Sequence, residues 1–284
     1  MKKLLSGIMT VAVVIFGAFI YINDDSSNGF DVKSAMTKFT TGSIENTEDD
    51  KKLINEGTNS ENYKFINDNK TELNEDDKSL LNDKGKNEFW ADYPDLDKYG
   101  RAGEVTALVT SDSVHNHSSK VQERPAFASN VHVAGEYKDG KYNPSKQTWE
   151  GTESNNKILQ LSGYRGYIYN KSHSLGWSLG GDMETHNLTL GTRSQNVGSN
   201  KDPNGGGMGY SETQIRDAIY DKPETKVYYQ ITPVYKDKEL LPRGSHVRAY
   251  SINDDGKTIN LNVWVSNTEK GYKINYSDGT YAKE

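Results

Sequence analysis

Hydrophobic residues fall along this chain in three regimes. Leu4 to Ile22 is an uncharged, mostly apolar run, which at 1.5 Å per residue nearly crosses a hydrocarbon core about 30 Å thick. From Asn23 to Lys86 single apolar residues are scattered among Asn, Asp, Glu, Ser, Thr and Lys, and neither the helical nor the strand period persists. Past Phe89 the pattern becomes periodic. Residues 104–110 (EVTALVT) and 164–170 (YRGYIYN) read as strands, and Lys138-Asp139-Gly140-Lys141 as a turn. In residues 210–221 (YSETQIRDAIYD) Ile215, Ala218 and Ile219 share one helical face, with Ser211 as N-cap. Four C-terminal stretches, KVYYQITPVY, HVRAYSI, TINLNVWVSN and YKINYSDGTY, alternate with turn-forming residues in the manner of an antiparallel meander. These patterns predict an α+β domain over residues 87–284 with a central antiparallel β-sheet. A polar, mostly disordered linker over 23–86 would precede it, behind a signal peptide or signal anchor over 1–22.

Composition narrows the chemistry. Cysteine is absent, so disulfides, thiolate zinc sites and Cys nucleophiles are excluded. Only 33% of the residues are hydrophobic and the mean hydropathy is -0.85, so a globular part shares the chain with polar filler. Lys2 and Lys3 precede the apolar run, and AFIYIN at its end offers a poor small-residue cleavage site. A retained anchor is therefore favoured over a removed signal, and either form exports the rest of the chain to an extracellular location. The net charge is -6, and most of it lies before residue 87.

Residues 169–198 (YNKSHSLGWSLGGDMETHNLTLGTRSQNVG) follow neither period. His173 stands just beyond a strand, and imidazole is the side chain whose ordinary pKa suits it to take a proton from water near neutrality. Asn196 offers a neutral carbonyl oxygen, a hard ligand for Mg²⁺. Together they fit metal-assisted phosphodiester cleavage. Taken singly, each residue has a plainer role. A lone His is more often a surface or core residue, and a lone Asn a turn or cap. Gly205-Gly206-Gly207 lacks the Lys-Ser/Thr pair of a phosphate loop. His115 and His117 lack a third metal ligand.

With its partners His173 resembles a known site. The chain is similar to the DNA/RNA non-specific endonucleases with a ββα-metal site, in their streptodornase and DNA-entry nuclease branch. Their Asp-Arg-Gly-His motif carries the general base, and Asn170-Lys171-Ser172-His173 stands in its place, identical only at the His. Asn187-Leu188-Thr189 with Asn196 reproduces the family's spacing to its metal-binding Asn, and Glu212 with Arg216 fits its helix. The likeness extends over most of residues 90–276. It implies a ββα-metal motif and a largely sequence-non-specific endonuclease that leaves 5′-phosphate ends. His173, Glu212 and Arg216 would be catalytic, and Asn196 would hold Mg²⁺, for which Mn²⁺ can substitute. Lys171, Asn187 and Arg193 would bind substrate, which is DNA, with RNA as the alternative, and the chain would act as a monomer. Lys171 brings positive charge without the planar fork of Arg. The competing class is a surface-anchored, non-catalytic DNA- or carbohydrate-binding protein, to which 18 Tyr residues and an anchor are equally suited.

Overall fold

The computed structural model describes residues 42–198 and 205–284. The apolar run at Leu4–Ile22 and the polar residues after it up to 41 lie outside the described residues. Among the described residues no helix is long and apolar enough to cross a membrane.

Six antiparallel strands form the main sheet: β1 (Lys64–Phe65), β2 (Trp90–Asp92), β3 (Val105–Val109), β10 (Val227–Val234), β11 (Gly244–Ser251) and β12 (Asn260–Ser266), in the order β1-β12-β11-β10-β3-β2. Strand alternation sorts their side chains onto two faces. Val105, Ala107, Val109, Val227, Tyr229, Ile231, Val247, Ala249 and Val263 build the front core, where helix α5 (Gly207–Asp221) adds Met208, Ile215 and Ile219, and helix α3 (Ser111–Asn116) adds Val114. Leu175 and Leu179 from the loop after His173 join the same core. Helix α5 begins earlier than its apolar periodicity implies. Gly206 is its N-cap, and Ser211 is a buried interior residue rather than the cap.

The back face corrects the expected linker. Residues 43–86 are not a disordered tether; they carry helix α1 (Glu48–Leu53), β1 and helix α2 (Glu75–Lys84), and they pack on the sheet. Leu53 meets Val234 and Trp264, while Leu81 meets Leu108 and Tyr228. Burial of such a side chain contributes about 1.5–3 kcal/mol. Polar residues on this face find their partners in the same segment. The Asp77 carboxylate accepts from Tyr228 Oη at 2.9 Å and Arg248 Nη2 at 2.7 Å, and Asp50 lies 2.7 Å from His246 Nδ1. Scattered apolar residues look like disorder only while their partners, far along the chain, are out of view. A compact unit thus starts at Ser43, not at residue 87.

The expected turn near Asp139 leads into a small hairpin of β4 (Lys141–Asn143) and β5 (Thr148–Glu150). A second core lies beside the main sheet. Val131, Val133, Leu161, Ile168, Tyr169, Leu188, Leu190 and Leu241 gather there, beneath the hairpin of β6 (Ile158–Leu161) and β7 (Tyr164–Tyr167) and the pair β8 (Tyr169–His173) and β9 (Leu188–Thr192). The predicted strand at 164–170 is thus two strands, parted at Ile168. The last predicted strand does not join the meander. It folds back as a hairpin, β13 (Tyr272–Ile274) with β14 (Tyr281–Lys283).

Candidate active site

β8 and β9 run antiparallel, pairing Ser172 with Thr189 and His173 with Leu188. The chain leaves β9 directly into the short helix α4 (Arg193–Val197), capped by Thr192, whose Oγ1 accepts from Gln195 N at 3.0 Å. Two strands and the helices α4 and α5 thus form a ββα unit. Gly207, the first residue of α5, has φ +54°, and a Cβ there would stand 2.4 Å from the Gln195 carbonyl oxygen. Only glycine lets the two helix ends come this close.

His173, at the end of β8, is buried. Its Nε2 lies 3.3 Å from Met183 Sδ, and its ring stacks on Phe127 with centroids 5.6 Å apart. Burial, then the nearby Arg124 charge, push its pKa down to about 4, opposed by Asp182. At neutral pH the ring is therefore uncharged and can accept a proton.

Asn196 sits on α4, half-buried, and its Oδ1 accepts from Ser172 Oγ at 3.1 Å. The short helix is thereby tied to the residue next to His173. Glu212, on α5, packs against the backbone of Gly176, where a Cβ would meet its carboxylate at 2.5 Å. Burial raises its pKa to about 7, while Arg216 and Arg124 pull it down. Arg216 stands one turn along the helix, with Nη2 3.3 Å from Thr213 Oγ1. The Arg124 charge acts on both His173 and Glu212.

Three expected substrate contacts are placed elsewhere. The Asn187 side chain is fully buried. Its Oδ1 accepts from Leu175 N at 2.8 Å, and its Nδ2 donates to the carbonyls of Leu175 and Asp182, each at 3.0 Å. Both N–H groups are used and the side chain is closed off from solvent, so Asn187 braces the loop that follows His173. Lys171 turns under the 127–136 segment, donating to the Val131 carbonyl and lying 3.4 Å from Glu136 Oε1, so its charge is offset. Arg193 stacks over Tyr164 at 4.5 Å, at the far end of β9 from His173.

Arg124 and Phe127 are what sequence reasoning missed. Arg124 is exposed and forms no ion pair among the described residues; its guanidinium lies 5.4 Å from the Phe127 ring centroid. A basic residue followed at short range by an aromatic one was the available signal, in a stretch without periodicity.

Residues 140–253 match the model of the DNA/RNA non-specific endonucleases. The match is confined to that segment, under half of the chain. The matched segment contains His173, Asn196, Glu212 and Arg216, whereas Arg124 and Phe127 precede it. A deoxyribonuclease of Streptococcus dysgalactiae subsp. equisimilis is 33% identical over 199 residues, which are 66% of this chain and 59% of that protein. The chain therefore spans well under two thirds of that relative's length. Among solved structures, the Sda1 nuclease with a bound zinc ion superposes with a TM-score of 0.64 at 27% identity, covering 79% of this chain and 98% of that one. NucA from Streptococcus agalactiae, with a magnesium ion bound, gives a TM-score of 0.57 at 18% identity over 80% of this chain and 90% of its own. That second likeness is one of fold alone.

Proposed function

We propose that the chain is a metal-dependent endonuclease that hydrolyses phosphodiester bonds of DNA, and of RNA where it is offered, with little regard to sequence. One observation carries the reading. His173 stands buried at the end of β8, with Asn196 of α4 hydrogen-bonded to its neighbour Ser172 and with Phe127, which carries Arg124 over its ring, stacked on its imidazole.

With Nε2 turned to Met183, Nδ1 is the nitrogen left to take a proton from water. The oxygen so activated attacks phosphorus as the bond to the 3′ oxygen breaks. The products are a 5′-phosphate and a 3′-hydroxyl. Arg124 and Arg216 would hold the non-bridging oxygens by charge-assisted hydrogen bonds.

The donor set fits a divalent cation of oxygen preference. Asn196 supplies a carbonyl oxygen, and Glu212 is a desolvated carboxylate that accepts no hydrogen bond among the described residues. Asn196 would be the direct ligand and Glu212 would act through the ion's water shell. Mg²⁺ or Mn²⁺, when bound, supplies Lewis-acid charge against the negative charge that grows on the phosphate. The apolar run at Leu4–Ile22 would carry the domain out of the cell, with the chain held at the membrane or released.

A plasmid-nicking assay tests this reading. Wild-type protein with Mg²⁺ should relax and then linearise plasmid, EDTA should stop it, and His173→Ala should bind DNA without cutting. Full activity of His173→Ala, or of the wild type in EDTA, ends the proposal.

A further inference from the structure

The sequence holds no Asp or Glu between Glu153 and Asp182, although 40 of its 284 residues are acidic. This is its longest stretch without a carboxylate. It begins at the β6–β7 hairpin and ends beyond His173, and it carries Lys157, Arg165 and Lys171.

The hairpin has two different faces. Leu161 is buried in the second core, and Leu159 and Tyr164 pack against it. Ile158, Gln160, Arg165 and Tyr167 point outward and are exposed. Strand register sets Ile158 directly across from Tyr167, and Gln160 across from Arg165. Tyr167 at 54% and Ile158 at 48% are among the few large hydrophobic side chains that the described residues expose so far. Lone exposed apolar residues need no explanation, but an opposed pair flanked by cations does. Neither Lys157 nor Arg165 forms an ion pair among the described residues.

We propose that this outward face, with Tyr167 as stacking platform and Arg165 and Lys157 as phosphate contacts, binds a single-stranded stretch of nucleic acid flanking the bond to be cut. The inference rests on the endonuclease reading, since the occupant is that enzyme's substrate. A phenol ring gives an unpaired base a flat partner, and a cation beside it neutralises the adjoining phosphate. Only Ile168 separates β7 from β8, the strand that ends at His173. A strand lying on the hairpin thus passes toward the base without meeting a carboxylate from this stretch. A duplex keeps its bases stacked on one another and has none to offer Tyr167, so the surface favours single strands.

The test is the affinity of the full chain for a fluorescein-labelled oligo-dT, measured by anisotropy in EDTA so that nothing is cut. Tyr167→Ser should bind about tenfold more weakly, within the range found for one stacked base, while Tyr167→Phe keeps wild-type affinity. Arg165→Ser should weaken binding several-fold and reduce the salt dependence by somewhat less than one ion. With Mg²⁺, the serine variants should show a raised KM on long single strands and an unchanged kcat. Unchanged affinity in both serine variants overturns the proposal, as does equal loss in Tyr167→Phe and Tyr167→Ser, or a wild type that holds duplex but not oligo-dT. A wild type that binds oligo-dT through these residues yet cuts nothing would instead overturn the endonuclease reading.

Discussion

Replacing Asn187 separates a brace from a substrate contact. Asn187→Ala removes three hydrogen bonds to the loop between Leu175 and Asp182 and leaves one N–H and two carbonyl groups without that partner in a buried place. Each such bond is worth about 1 kcal/mol net, and more where the orphaned group stays dry. A loss on the order of 3–4 kcal/mol results. For a chain of this size that lowers Tm by roughly 10 °C. Asn187→Asp is the sharper variant. It keeps an acceptor for Leu175 N but turns a carboxylate oxygen on two carbonyls, so it should be at least as damaging at neutral pH and should recover partly in acid. Thermal unfolding followed by circular dichroism reads the stability. Steady-state cleavage below Tm reads the site, where kcat should fall because the loop holding Met183 against His173 is loosened. Wild-type Tm in Asn187→Ala together with a raised KM would refute the brace and restore the substrate role implied by resemblance.

The legible and illegible parts of this chain differ for a physical reason. β10, β11 and β12 could be read because turn residues separate runs rich in β-branched and aromatic residues, a local property. The nearness of Asn196 to His173 was legible because the ββα unit is short, so sequence spacing maps onto distance in space. The direction of a side chain is not local. Asn187 stands at the expected spacing, yet tertiary packing turns its amide into the protein. Phe127 reaches His173 only because its segment folds over β8, and nothing in its own neighbourhood announces this. Residues 43–86 failed most plainly. Their apolar residues obey no period because Leu53 and Leu81 each touch one spot on the back of a sheet made by residues distant in sequence. The acidity of the chain also misleads when read as a sum. Asp50, Asp77 and Asp97 face His246, Arg248 and Arg101 inside the fold, while the stretch that leads to His173 carries none. Net charge therefore says little about the field at the site, which depends on where the carboxylates lie.

Arg124→Ala should raise KM for DNA about tenfold and move the acid limb of the pH–rate profile upward, since part of the depression of the His173 pKa comes from that charge; an unmoved limb would show that burial alone sets it. Asp77→Ala should cost about 3 kcal/mol or more in urea unfolding, because Arg248 and Tyr228 lose a buried partner. Activity per folded molecule should stay near wild type, and a truncation to residue 87 should fail to fold cooperatively. Metal-free stability should also depend on pH through His173. Its folded pKa of about 4 lies below the ordinary value of about 6.5, so the unfolded chain binds the extra proton. Stability supplied by the neutral ring is complete above pH ~6.5 and is lost as pH falls toward 4, a difference on the order of 3 kcal/mol. Glu212 works with the opposite sign. Burial raises its pKa to about 7, so its contribution is complete below its ordinary pKa and is lost as pH rises through about 7. Without metal the two opposed transitions overlap and nearly cancel between about pH 4.5 and 6.5, so stability should form a plateau there and fall on both sides. His173→Gln should remove the acid-side slope and Glu212→Gln the neutral one, each leaving the other in place. Mg²⁺ should erase the neutral-side loss by stabilising the Glu212 carboxylate; a slope there that Mg²⁺ leaves unchanged would show that the cation does not reach Glu212.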